Sequence, residues 1–114
     1  MNKAEILILP EADEFLMLLP EILLKNDYYT WRKSAERLVN DILEFILTIP
    51  NIPHYTLTEK AANYFRRYGS DLRYVFFIRK SSPKTTWYVF FSKCGNRYLI
   101  RYITNNHKDG VYIR

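Results

Sequence analysis

The chain has 114 residues, of which 48% are hydrophobic and 25% charged. That is the size and composition of one globular domain, not of a disordered segment. The longest uninterrupted apolar run, Phe15 to Leu19, is too short to cross a bilayer, and the single cysteine, Cys94, excludes an internal disulfide.

The net charge of +5 is unevenly distributed. Residues 1–57 hold five basic and nine acidic side chains, a balance of −4, whereas residues 58–114 hold twelve basic and three acidic ones, a balance of +9. Such an asymmetry suggests that one side of the fold meets a polyanion; the plainer alternative is a solvated basic face. Near the N-terminus a short apolar stretch, Ile6 to Leu9, is bracketed by Glu5 and by Glu11, Asp13 and Glu14. This is not the pattern of a secretory leader, so the expected location is cytoplasmic, without membrane attachment.

Taken in chain order, Ala4 to Leu9 reads as a strand ending at Pro10. Pro10, Glu11 and Ala12 look like a helix start, because proline suits the first turn and carboxylates suit the positive end of the dipole. Asp13 to Leu19 continues that helix. Pro20 is expected to break or kink it, with a second short helix through Leu24 as one outcome, before a turn at Asn26-Asp27. Thr30 to Leu47 is the clearest helix: Ala35, Leu38, Val39, Ile42, Phe45 and Ile46 recur at three- and four-residue spacing. Pro50 and Pro53 make the following loop. Thr58 caps a further helix, Glu59 to Tyr68, stopped by Gly69.

From Leu72 the periodicity changes. Leu72 to Lys80, Thr85 to Lys93 and Arg97 to Thr104 are rich in aromatic and β-branched residues, with turn sequences at residues 81–84 and 94–96. Short connections make these strands an antiparallel meander. Val111 to Ile113 reads as a short terminal strand. The expected fold is a single α+β domain over residues 1–114, in which the first strand joins the meander to give a four-stranded sheet with helices packed on one face.

Alternation places Arg73, Val75, Phe77 and Arg79 on one side of the first meander strand, with Leu72, Tyr74, Phe76, Ile78 and Lys80 on the other. On the last strand it separates Arg97, Leu99, Arg101 and Ile103 from Tyr98, Ile100 and Tyr102. Aromatic residues among cations let bases stack while phosphates are neutralised, although the same aromatics are also ordinary core formers of strands. His107, just beyond a strand end with Lys108 beside it and Tyr112 five residues on, pairs a proton-transfer group with a cation; a surface histidine in a turn is the plainer reading. His54 has no such neighbours in sequence and reads as structural or solvent-exposed. One cysteine and two distant histidines make no metal motif, and three isolated glycines make no phosphate loop. No metal and no cofactor is expected.

Three stretches carry a family resemblance. "PEADEFLMLLPEIL" after an apolar first strand, "LRYVFFIRK" with Arg73 near its start, and "YLIRYITNNHKDGVYI" with a strand-end histidine and a following tyrosine are similar to the RelE/ParE superfamily of bacterial toxins, the last with a HigB-like tail. The resemblance implies a β-α-α-β-β-β layout and the toxin of a type II toxin–antitoxin pair, a metal-independent, ribosome-dependent messenger RNA endoribonuclease held in check by an acidic antitoxin. Carried onto this chain, the catalytic set is Arg73, Arg101, His107 and Tyr112, with Arg79, Lys80, Arg97 and Lys108 as RNA-binding cations. The 2′-OH would attack the adjacent phosphate, His107 or Tyr112 would exchange protons, and Arg73 and Arg101 would stabilise the charge. Two other outcomes share the scaffold: a non-nuclease toxin such as a topoisomerase poison, and a non-toxic interaction domain.

Overall fold

A computed structural model describes residues 3–27 and 29–113. In chain order they form β1 (Glu5–Ile8), α1 (Pro10–Lys25), α2 (Arg32–Leu47), a 3-10 turn (Ile49–Asn51), β2 (Tyr55–Thr56), α3 (Glu59–Tyr64), a second 3-10 turn (Arg66–Tyr68), β3 (Arg73–Ile78), β4 (Thr86–Cys94), β5 (Arg97–Asn105) and α4 (Asn106–Ile113). No helix among the described residues is long and apolar enough to cross a membrane.

The chain is α+β, but among the described residues the sheet has five strands rather than four, in the order β1-β5-β4-β3-β2. β3, β4 and β5 are the antiparallel meander, and β1 joins its edge parallel to β5, pairing Glu5 with Arg97 and Ile8 with Ile100. The additional strand is β2, whose Tyr55 and Thr56 pair with Tyr74 and Arg73. Two residues are too few for periodicity to register.

Helices cover both faces of the sheet, not one. On the first face, Ala12, Leu16 and Leu19 of α1 and Leu38, Ile42 and Ile46 of α2 pack on Val75, Trp87, Val89, Phe91, Ile100 and Ile103. On the second, Ala61 of α3, Phe65 just after it and Ile113 of α4 pack on Tyr88 and Phe90, with Tyr74 and Tyr102 alongside. The central strand β4 is buried from Trp87 to Ser92, so its side chains serve both layers. Phe90 and Phe91 are both 0% exposed and point to opposite layers. Burial of each contributes about 1.5–3 kcal/mol.

Three local expectations change. Pro20 does not break α1, which runs through it. Leu19 is buried beside the proline and Leu23 packs on the same core one turn on, and this apolar contact offsets the roughly 3 kcal/mol an internal proline costs. The helix expected over residues 59–68 stops at Tyr64 and continues as the tighter turn Arg66–Tyr68; at its start the Thr58 hydroxyl accepts from the Ala61 N–H at 3.1 Å. The terminal segment is a helix, not a strand. Asn105 Oδ1 accepts from the N–H groups of His107 (2.9 Å) and Lys108 (3.1 Å), which caps α4 and turns the chain out of the sheet.

Candidate nucleic-acid interface

A β-bulge shapes the second face. Phe90 pairs with Tyr102 and Phe91 with Ile100, so Arg101 is the extra residue on β5. Simple alternation therefore fails here. Ile103 returns to the α1/α2 face with Ile100, while Arg101 and Tyr102, adjacent in sequence, both lie on the other face. The bulge thus sets a guanidinium beside an aromatic ring on one surface.

Tyr102 is half-buried and stacks on Tyr68 from the 3-10 turn, with centroids 4.1 Å apart and 13° between planes. The guanidinium carbon of Arg67 lies 4.8 Å from the Tyr68 ring centre, and Lys108 Nζ lies 5.8 Å from that of Tyr102. A second stack, Tyr64 on Tyr112, has a 3.7 Å separation and a 5° interplanar angle. It joins α3 to the last turn of α4. The surface therefore carries two stacked tyrosine pairs, and arginine and lysine lie over the rings of the first.

Asp109 fixes this surface from below. It is 2% exposed, and its Oδ2 accepts from the hydroxyls of Tyr102 and Thr104, both at 2.7 Å. Burial first, then hydrogen bonding to that carboxylate, pushes the Tyr102 hydroxyl well above the ordinary tyrosine value of 10.0. The Tyr64 hydroxyl is also raised, by desolvation and then by the charge of Asp109. Both tyrosines stay neutral donors across the physiological range.

The residues singled out from sequence are spread over several places. Arg101 donates from Nε to Ser92 Oγ at 3.2 Å, and Ser92 Oγ donates to Asp71 Oδ1 at 3.1 Å. Arg73 is exposed on the β3 side that carries Val75, so it lies on the opposite sheet face from Arg101. His107, exposed in the first turn of α4, shares a 3.0 Å hydrogen bond between Nε2 and Thr85 Oγ1. Tyr112 is five residues further along the same helix, about 140° around its axis. Arg79 is held by Asp41 at 2.7 Å and Tyr29 Oη at 3.1 Å, which ties the end of β3 to α2. Arg97 pairs with Glu5 at 3.2 Å across β1 and β5, and Lys80 is exposed beyond β3. Lys108 and Tyr112 belong to the tyrosine surface, with Arg101 on the same sheet face. His54 donates from Nε2 to the Ile49 carbonyl, 2.6 Å away, and packs edge-on against Phe91, a structural position.

Sequence reading missed Arg66, Arg67 and Tyr68, which looked like the tail of a longer helix. The available signal was the run of two arginines and a tyrosine just ahead of a helix-stopping glycine. No group of three or more potential metal-ligating side chains occurs among the described residues. Comparison with protein-family models, curated proteins and solved structures gives no match.

Proposed function

We propose that this protein engages single-stranded RNA through the Tyr68–Tyr102 surface, as the toxin of a RelE/ParE-like toxin–antitoxin pair. The observation that carries the RNA reading is the Tyr68–Tyr102 stack with Arg67 over one ring and Lys108 over the other. A base stacks on the outer face of the pair by displacing the cation there, which then meets the phosphate. The toxin reading rests on the resemblance of the three sequence stretches, and the order of a strand, two helices and a three-stranded meander supports it. Messenger RNA cleavage on the ribosome is the activity that reading implies, with an acidic antitoxin covering the basic face. A second reading, a toxin that binds without cutting, is favoured by the separation of Arg73 from Arg101 and of His107 from Tyr112.

Fluorescence anisotropy with a single-stranded RNA oligonucleotide tests the interface. Tyr68→Ala is expected to weaken binding by about 1–3 kcal/mol. Lys108→Ala lowers the salt slope by roughly 0.7 for each phosphate its ammonium neutralises. Unchanged binding in both variants, against Arg37→Ala as a control on the acidic half, refutes the interface. Induced expression followed by mapping of messenger RNA ends separates the rest. New ends that disappear in Arg101→Ala and His107→Ala support cleavage, growth arrest without new ends supports binding alone, and no growth defect removes the toxin reading.

A further inference from the structure

A cavity of about 490 Å³ lies between α1, α2 and the end of the sheet from which α4 leaves. Its inner wall is apolar: Leu19, Leu38 and Trp87 are each less than 5% exposed, and Phe15 and Leu23 extend the wall outward. Ile22, 40% exposed, stands at its opening. The opposite wall is polar and comes from the β3–β4 connection, the end of β5 and the start of α4, through Thr85, Asn105 and His107. Lys108, His107 and Tyr29 are the titratable side chains of the lining, and its described residues include no carboxylate.

The chemistry is therefore split, with an apolar wall on one side and, on the other, hydrogen-bonding side chains and the ammonium of Lys108. Asn105 spends its Oδ1 on capping α4, which leaves its amide N–H groups available. His107 and Thr85 are already oriented by their mutual 3.0 Å hydrogen bond at the rim. The volume lies within the range of sites that enclose small ligands. At roughly 30 Å³ per carbon, the share of one water molecule, an alkyl chain of about ten carbons takes up about 300 Å³ and fits with room to spare. RNA does not fit this chamber, because a nucleotide would place phosphate against leucine and tryptophan.

The geometry points to a binding site for a small anionic amphiphile, a medium-chain carboxylate whose tail lies against Leu19, Leu38 and Trp87 and whose carboxylate is held by His107, Thr85 and Asn105. The site shares Lys108 with the tyrosine surface but is otherwise built from other residues, and it stands whether or not that surface binds RNA. Isothermal titration of the full chain with monomeric decanoate, in the absence of RNA, tests it. Saturable one-to-one uptake is expected, with decanol binding at least fivefold more weakly. His107→Gln, a change at an exposed position, is expected to weaken decanoate at least fivefold and decanol less than twofold. Ile22→Trp, which blocks the opening from the surface, is expected to abolish uptake of both while leaving the thermal transition in place. Absence of saturable uptake overturns the site. So does equal affinity for decanoate and decanol together with an unchanged His107→Gln variant. Sedimentation with phosphatidylglycerol vesicles without uptake of monomeric decanoate overturns it as well, since the anion is then a lipid surface and not an enclosed chain.

Discussion

Removing the carboxylate of Asp109 is the most direct test of how the second face is held together. Its Oδ2 is the acceptor for two hydroxyls, one on Thr104, which is 2% exposed, and one on half-buried Tyr102. In Asp109→Ala both donors lose their partner inside the protein. An orphaned buried hydroxyl costs about 1–3 kcal/mol; Thr104 bears that cost in full and Tyr102, partly solvated, bears less. The sum is about 2–4 kcal/mol, or about 8–16 °C in Tm at roughly 4 °C per kcal/mol for a domain of this size. Asp109→Asn keeps a carbonyl acceptor and is expected to lose less than half as much. Calorimetry gives the global value, and amide hydrogen exchange places it: α4 should exchange faster while the centre of β4 keeps its protection. An Asp109→Ala protein within about 0.5 kcal/mol of the parent would refute the claim that this carboxylate anchors α4.

Three further outcomes follow from single contacts. The Tyr102 hydroxyl is raised above 10.0 in the folded state, so the stability it contributes is fully present below pH 10 and is lost as pH climbs from there toward the folded-state value. Tyr102→Phe should flatten the alkaline limb of a stability–pH profile, and an unchanged limb would contradict the assignment. Gly95, in the β4–β5 turn, has φ +63° with nothing within 4 Å of an added Cβ. Gly95→Ala should therefore cost about 1–2 kcal/mol from backbone conformation alone, and Gly95→Asn distinctly less, read by urea denaturation. Thr58→Ala removes the acceptor for the Ala61 N–H and should cost about 0.5–2 kcal/mol, with Thr58→Ser close to neutral in the same assay.

The elements that periodicity specifies were legible in the sequence. The stripe of α2 through Ala35, Leu38, Ile42 and Ile46 is buried as its spacing requires, and the three meander strands lie where β-branched and aromatic residues cluster. What escaped was decided by contacts that a local pattern does not contain. The run of α1 through Pro20 depends on Leu19 and Leu23 finding a core formed by distant strands. The two residues of β2 exist through their pairing with β3. Residues 111–113 have strand-like composition, yet the Asn105 cap and the Asp109 anchor make them helical. For the site, the basic and aromatic character of the second half was visible, but its arrangement was not. The bulge at Arg101 moves Tyr102 into company with Tyr68, and a period of two read along β5 separates Arg101 from Tyr102.

The charge asymmetry acquires a spatial meaning from that arrangement. It does not follow a division between helices and sheet, since α3 and α4 both lie in the basic half. It shows instead in which cations are paired. Two cations on or near the α1/α2 side meet carboxylates: Arg79 meets Asp41 of α2, and Arg32 meets Glu21 of α1, at 2.7 and 2.6 Å. Arg97 meets Glu5 at the edge. None of the ion pairs among the described residues uses Arg66, Arg67, Arg101 or Lys108. These four cations have tyrosines, hydroxyls and amides for neighbours, and Asp109 beneath them is occupied by two hydroxyls. A guanidinium balanced by a carboxylate adds little to the field of a surface, whereas one facing a ring keeps its full charge for a ligand. The carboxylates of the acidic half therefore engage Arg32, Arg79 and Arg97, whereas the four cations of the tyrosine surface keep their charge beside rings, hydroxyls and amides.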